Sequence, residues 1–194
     1  LRMEGVNGKL CVSTGYPGNI FVSHDHGNNW TDITNNINGD IFDFESNGLY
    51  IFASGQDGIF RSSNGGELWE YLTPDFYDVH SIEAMGSDVF GASPRWMAGI
   101  RKSTDNGDTW TAAMNGIMAS AVLDLAVSGD VLYAATETGG VKFTTNRGDD
   151  WLSAGMEHNV LTGLAANDSN TYVSTIWDQA GLFRSSDRGA NWYH

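Results

Sequence analysis

Between Trp110 and Trp151 the apolar positions fall into short runs separated by turn residues. The runs predict four strands, over 109–113, 122–127, 131–136 and 140–144. Their Val, Leu, Tyr and Phe content suits a pleated, half-buried surface. Ser128-Gly129-Asp130 and Thr138-Gly139-Gly140 supply the chain reversals. The same layout returns between the other tryptophans of the series, so one unit of four strands describes the chain.

Each unit ends in an eight-residue pattern: a hydroxyl residue, Asp or Asn two positions on, Gly two further and Trp three after that. The copies are SHDHGNNW from Ser23, SSNGGELW from Ser62, STDNGDTW from Ser103, TTNRGDDW from Thr144 and SSDRGANW from Ser185. Their tryptophans, Trp30, Trp69, Trp110, Trp151 and Trp192, stand 39, 41, 41 and 41 residues apart. A period of about forty marks a repeat architecture in which each unit buries its apolar face on its neighbours. Four strands per unit make a propeller blade. The predicted fold is all-β, a β-propeller of four-stranded antiparallel blades. A single domain over 1–194 is expected, with blades at about 1–34, 35–73, 74–114, 115–155 and 156–194.

Within the pattern, the Asp or Asn side chain can accept backbone N–H bonds, the Gly can take a positive φ, and the Trp can cover the hairpin. The motif is similar to the Asp box, or bacterial neuraminidase repeat, of sialidases, sortilin-type receptors, two-lobed xyloglucanases and photosystem assembly factors. The resemblance covers the whole chain. It implies that the box is structural, on the turn between a blade's third and fourth strands and away from the ligand face. Asp25, Trp30, Asn64, Trp69, Asp105, Trp110, Asn146, Trp151, Asp187 and Trp192 are then scaffold residues.

With strands lettered A to D from the axis outward, blade one begins inside strand A near Met3, and blade five stops just after Trp192. Both ends read as clipped, and Leu1 in place of an initiator Met points to a processed or excised chain. Two arrangements stay open, a closed five-bladed ring and part of a larger propeller. If the ring is closed, residues 1 to 5 should pair with 9–14 as an inner strand.

Composition narrows the partner classes. Acidic residues outnumber basic ones 24 to 10, for a formal charge of -14. Such a chain repels phosphate backbones and anionic lipid over a Debye length of roughly 8 Å. Nucleic acid is excluded as a partner, and membrane insertion is not expected. Hydrophobic residues at 41% suffice for a core. Cys11 is the only cysteine, so no intrachain disulfide forms. The resemblance implies an extracellular or cell-surface bacterial protein. No cofactor or metal is implied.

Function is sought in the B-to-C loops and the blade-to-blade connections, which share one end of a propeller. Trp96 and Trp177 stand apart from the boxes, in the longer loops SPRWMAG and TIWDQAG. Flanked by Arg95, Asp178 and Gln179, they offer apolar platforms beside hydrogen-bonding groups, the chemistry a sugar ring needs. They would equally serve as plugs between loops. Tyr16, Asp57 and Glu137 occupy the matching loops of other blades, and Phe76, Tyr77 and His158 lie in the connections. Asp43 and Asp124 lie in alternating A strands (IFDF and VLDL), with Ser81 and Gly163 at the matching positions of other blades, and could face a channel as solvated or acid-base carboxylates.

Catalytic patterns of the resembling families are missing. No Arg-Ile-Pro occurs, and Arg61, Arg101 and Arg184 sit beside boxes, leaving Arg2 and Arg95 outside that setting and the box turns of Arg147 and Arg188. That is too few for a carboxylate-binding arginine triad. His24-Asp25-His26 reads as an exposed turn, since Asp25 is committed to the box. Asn29-Trp30-Thr31 and Asn167-Asp168-Ser169 match glycosylation acceptors by chance. The expected function is a non-catalytic binding module for a glycan or a protein. Its rivals are a fragment of a sialidase-like or xyloglucanase-like hydrolase and a structural scaffold.

Overall fold

The structure, a computed structural model, describes residues 2–6, 8–14, 18–34, 37, 39–73, 75–95, 98–118, 121–176 and 180–194. Among these, strands follow one another in sets of antiparallel neighbours. Blade one holds β1 (Arg2–Val6), β2 (Lys9–Ser13), β3 (Ile20–Ser23) and β4 (Thr31–Asp32). Blade two holds β5 (Ile41–Ser46), β6 (Ile51–Gly55), β7 (Gly58–Ser62) and β8 (Glu70–Tyr71). Blade three holds β9 (Ser81–Met85), β10 (Asp88–Ser93), β11 (Gly99–Ser103) and β12 (Thr111–Ala112). Blade four holds β13 (Val122–Ser128), β14 (Val131–Thr136), β15 (Gly140–Thr144) and β16 (Leu152–Ser153). Blade five holds β17 (Val160–Ala166), β18 (Thr171–Ile176) and β19 (Gly181–Ser185), with an Arg184–Tyr193 bridge where a fourth strand would start. Each sheet is a meander in chain order, the topology of a propeller blade.

Burial peaks at the second strands, the first strands β5, β9 and β13 being only partly buried. The second strands β6, β10 and β14 are buried at every residue, while the fourth strands are exposed at every residue. The predicted inner pairing of blade one is present, with Arg2 opposite Ser13 and Val6 opposite Lys9. The fourth strand is shorter than expected, two residues at 111–112 in place of five. The cause is local, since Asp105 still holds the Thr109 N–H in the box turn and the chain leaves the sheet after Ala113 donates to Ile100 O.

By contacts the chain divides into two compact units, Leu1–Gly91 with Ser103–Trp110, and Ala92–Lys102 with Thr111–His194. The first has a core of Cys11, Ile20, Val22, Ile41, Phe44, Ile51, Phe60 and Trp69 among others. Burial pushes the Cys11 thiol up to about 11, against the opposing pull of Lys9. The second is centred on Val131, Tyr133, Ala135, Val141, Leu161 and Val173.

The inner strands give Asp43 and Asp124 defined partners. Both sit at a register shift, between Ile41 and Asp43 and between Val122 and Asp124. One oxygen of Asp43 accepts from Phe44 N at 2.9 Å and the other from Ile82 N, in the next blade, at 3.0 Å. Asp124 does the same with Leu125 N at 3.0 Å and Leu164 N at 2.8 Å. These carboxylates tie the inner strand of one blade to that of the next, a structural role.

Candidate functional site

The two ends of a blade are built differently, and the box end is the more regular. In all five boxes the first hydroxyl is buried and bridges the turn. Ser23 Oγ donates to Asp25 Oδ1 at 2.9 Å and accepts from Gly27 N at 2.8 Å, while Asn29 N donates to Asp25 Oδ1 at 2.8 Å. Ser62 with Asn64, Ser103 with Asp105, Thr144 with Asn146 and Ser185 with Asp187 repeat this. The fourth and fifth box residues both take a positive φ, for example 58° at Asn106 and 98° at Gly107. Asn29, by side chain and backbone, and Ser23 hold the Asp25 carboxyl down to about 2. Thr109 and Ser103 do so for Asp105, and Asn191 leads the lowering at Asp187. Asp25 is thus occupied within its own turn, as read from the sequence.

Box turns are also clamped by the preceding blade. Arg61 donates to Asn106 O at 2.8 Å and pairs with Asp108 at 2.7 Å, with its guanidinium over the Tyr50 ring. Lys102 repeats the contact one blade on, reaching Arg147 O at 3.1 Å and the Asp149 carboxylate. These contacts account for the basic residues that precede the box in β7 and β11.

At the opposite end of blade four lies a hollow of about 340 Å³. Three segments line it. Gly116, Ile117 and Met118 come from the connection between blades three and four; Thr136, Thr138, Gly139 and Lys142 from the β14–β15 turn and β15; Glu157 from the connection after β16. The turn is held by Thr136, whose buried hydroxyl donates to Gly140 O at 2.8 Å and accepts from Gly139 N at 3.0 Å. Ile117 is anchored through its N–H to Met114 O at 2.9 Å and is buried, while the adjacent Met118 is 90% exposed. The Ser153 hydroxyl, its own backbone, Lys142 and His158 hold the Glu157 carboxyl below its ordinary range, against the effect of burial. A thioether, hydroxyls, one cation and one carboxylate therefore meet there. Among the described lining residues Glu157 is the one carboxylate.

Among the predicted loop residues, Arg95 and Glu137 are exposed and Asp57 is half-buried, its carbonyl accepting from Tyr71 Oη at 2.7 Å. None of the three lines the hollow, although Glu137 belongs to the same turn. Tyr16, Trp96, Trp177, Asp178 and Gln179 lie outside the described residues. Phe76, a candidate platform, is a core residue at 1% exposure, in reach of Gly91 and so packed inward. Tyr77 and His158 remain exposed. Met118, Lys142 and Glu157 were not singled out by sequence. An apolar Ile-Met pair directly after the turn-forming Asn115-Gly116 was the available signal.

The BNR-Asp box repeat family matches this chain at residues 20–33 and 182–194, the first and last of the five boxes. The chain carries Asp-box repeats on a β-propeller fold. Solved structures support the fold half of that statement. A chain of a nidogen/laminin complex superposes on 97% of the Asp-box propeller with a TM-score of 0.75 at 12% identity, using 76% of its own length. A GH74 enzyme of Niastella koreensis matches 96% with a TM-score of 0.71 at 22% identity, and YCF48 bound to D1 peptide matches 95% with 0.70 at 16%. The propeller spans only 29% of the GH74 chain and 62% of the YCF48 chain. At these identities the likeness is one of fold. No curated protein matches by sequence.

Proposed function

We propose that this chain is a non-catalytic binding module, secreted or surface-borne, that takes a protein segment at the loop end of its blades. The observation that carries the reading is Met118, an almost fully exposed thioether at a hollow that also presents Lys142 and Glu157. An adaptable apolar side chain beside charges of both signs suits an extended peptide, whose side chains and main chain both need partners. Two of the structural neighbours stand in complexes with protein or peptide, nidogen with laminin and YCF48 with D1 peptide. A glycan is the alternative ligand, resting on Trp96 and Trp177 as stacking platforms. A hydrolase fragment is the rival reading, favoured by the GH74 likeness, which includes a xyloglucanase of Xanthomonas campestris.

Selection of a phage-displayed peptide library on the immobilised chain tests the proposal. Peptides are expected to bind the parent chain and to lose binding to a Met118→Glu variant of unchanged melting temperature. A glycan array, run with the parent and a Trp96→Ala, Trp177→Ala variant, moves the reading to sugar if it alone shows selective binding. Release of oligosaccharides from xyloglucan would overturn the non-catalytic reading, and silence in every assay would overturn binding at the loop end.

A further inference from the structure

We infer that Asn64, in the second box, is a site of spontaneous deamidation, singled out among the box positions by its two neighbours. Asn64 and Asn146 occupy the same place in boxes two and four. Their oxygens are held alike: Asn64 Oδ1 accepts from Ser62 Oγ at 2.9 Å and Leu68 N at 3.0 Å, and Asn146 Oδ1 from Thr144 Oγ1 at 2.8 Å and Asp150 N at 3.0 Å.

The nitrogens differ. Asn146 Nδ2 donates to Asp150 Oδ2 at 3.1 Å, whereas the matching residue across the second box is Leu68, an exposed aliphatic side chain with no acceptor. The residue that follows differs as well. Arg147 follows Asn146, whereas Gly65, with a φ of 78° and no side chain to crowd its backbone nitrogen, follows the exposed Asn64, the flexible end of Lys9 lying beside it. Two other Asn-Gly pairs among the described residues have their amide nitrogen held: Asn47 Nδ2 donates to Gly86 O and Asn106 Oδ1, and Asn115 Nδ2 donates to Asp150.

The reaction needs water alone. The Gly65 backbone nitrogen attacks Asn64 Cγ, forming an N–C bond and closing a five-membered imide; the Cγ–Nδ2 bond breaks and the nitrogen leaves as ammonia, carrying the proton lost from Gly65. Water then adds at either imide carbonyl and the ring opens, to aspartate or to isoaspartate. The two products have opposite consequences. Aspartate at this position is already the residue of boxes one, three and five, with the same hydroxyl and N–H partners, so the box survives with one more negative charge. Isoaspartate inserts a methylene into the main chain and moves the acceptor off the Ser62 hydroxyl and the Leu68 N–H.

Ageing the full chain at mildly alkaline pH, with peptide mapping by mass spectrometry, reads the conversion. Asn64 is expected to convert faster than Asn146 by roughly tenfold or more, a modest difference in barrier. Gly65→Arg installs the residue of boxes four and five, where Arg147 and Arg188 hold the same left-handed backbone at φ 56° and 59°, and should bring Asn64 down to the Asn146 rate. A Cβ at residue 65 meets only the flexible end of Lys9. Gly65→Asn, the arrangement of box three, serves if the arginine variant does not fold. Asn64→Asp should melt near the parent, and the isoaspartyl fraction below it. Equal rates at Asn64 and Asn146, or an Asn64 rate indifferent to residue 65, would overturn the assignment.

Discussion

Trp30 and Trp151 occupy the same box position and do different work. Trp30 is 40% exposed, and its Nε1 donates to Gly27 O of its own turn at 3.1 Å. Trp151 is 4% exposed, and its Nε1 donates at 2.9 Å to Ala113 O, at the end of the preceding blade. Trp110 follows the first pattern, through Gly107 O, and Trp192 the second, through Ala154 O at 2.7 Å. One motif is therefore a hairpin cover in some blades and a blade-to-blade fastener in others.

The residue at the end of the preceding fourth strand accounts for the difference. Ala113 and Ala154 each donate to the third strand of their own blade, at Ile100 and Val141; Leu72, which donates to Ile59 O, holds that place before Trp110. Leu72 extends its side chain to within contact of Gly107, whereas the small Ala154 lets the next box approach its carbonyl directly. Gly155 lies against the Trp192 ring in the same way, and Gly116 against the Trp151 backbone. Side-chain size one blade earlier thus decides whether the indole is free to reach across.

The largest effect should come from removing the fasteners. Trp151→Ala is expected to cost about 3–5 kcal/mol in denaturant unfolding, the range for a buried aromatic, and Trp30→Ala clearly less; equal losses would break the comparison. Next, Ala154→Leu should destabilise by about 1–3 kcal/mol through overpacking against Gly189. Leu72→Ala should free Trp110 to adopt the bridging pattern, detectable as a blue shift in its fluorescence. Asp124→Ala strips the acceptor from Leu164 N and should cost about 1–3 kcal/mol, whereas Arg61→Ala, acting on partly exposed pairs, should cost no more than about 1 kcal/mol.

A subtler contrast separates Asp boxes from Asn boxes. Asp25, Asp105 and Asp187 have folded pKa values below their ordinary one of 3.8, the first two at about 2. Because the folded values are depressed, their contribution is complete above about 4 and is lost as pH falls toward 2. Asn64 and Asn146 do not titrate. The melting temperature should therefore fall in that window, and a variant with Asn at 25, 105 and 187 should show a flatter acid limb.

Much of the box end was legible beforehand, because its bonds join residues at most four apart and depend on residue type alone. The Asp acceptor and the Gly with positive φ follow from Ser23 to Trp30 as written. The hydroxyl that bridges them was visible as a recurring Ser or Thr, yet its burial had to be seen. The loop end was less legible. Trp96 and Trp177 drew attention by standing outside the repeat, while Met118, Lys142 and Glu157 come together from segments without a shared pattern.

By itself, the sequence determined the number of boxes, the four-stranded unit and the turn chemistry that closes each hairpin, since all are local and repeat along the chain. Tertiary structure decided that Asp43 and Asp124 tie inner strands, that Phe76 belongs to a core, that Leu72 and Ala113 give their neighbouring tryptophans different partners, and that a hollow forms beside Met118. Those outcomes link residues roughly forty positions apart or on separate turns. They turn on side-chain volume and on which carbonyl or N–H a folded neighbour presents, and neither is written into the motif.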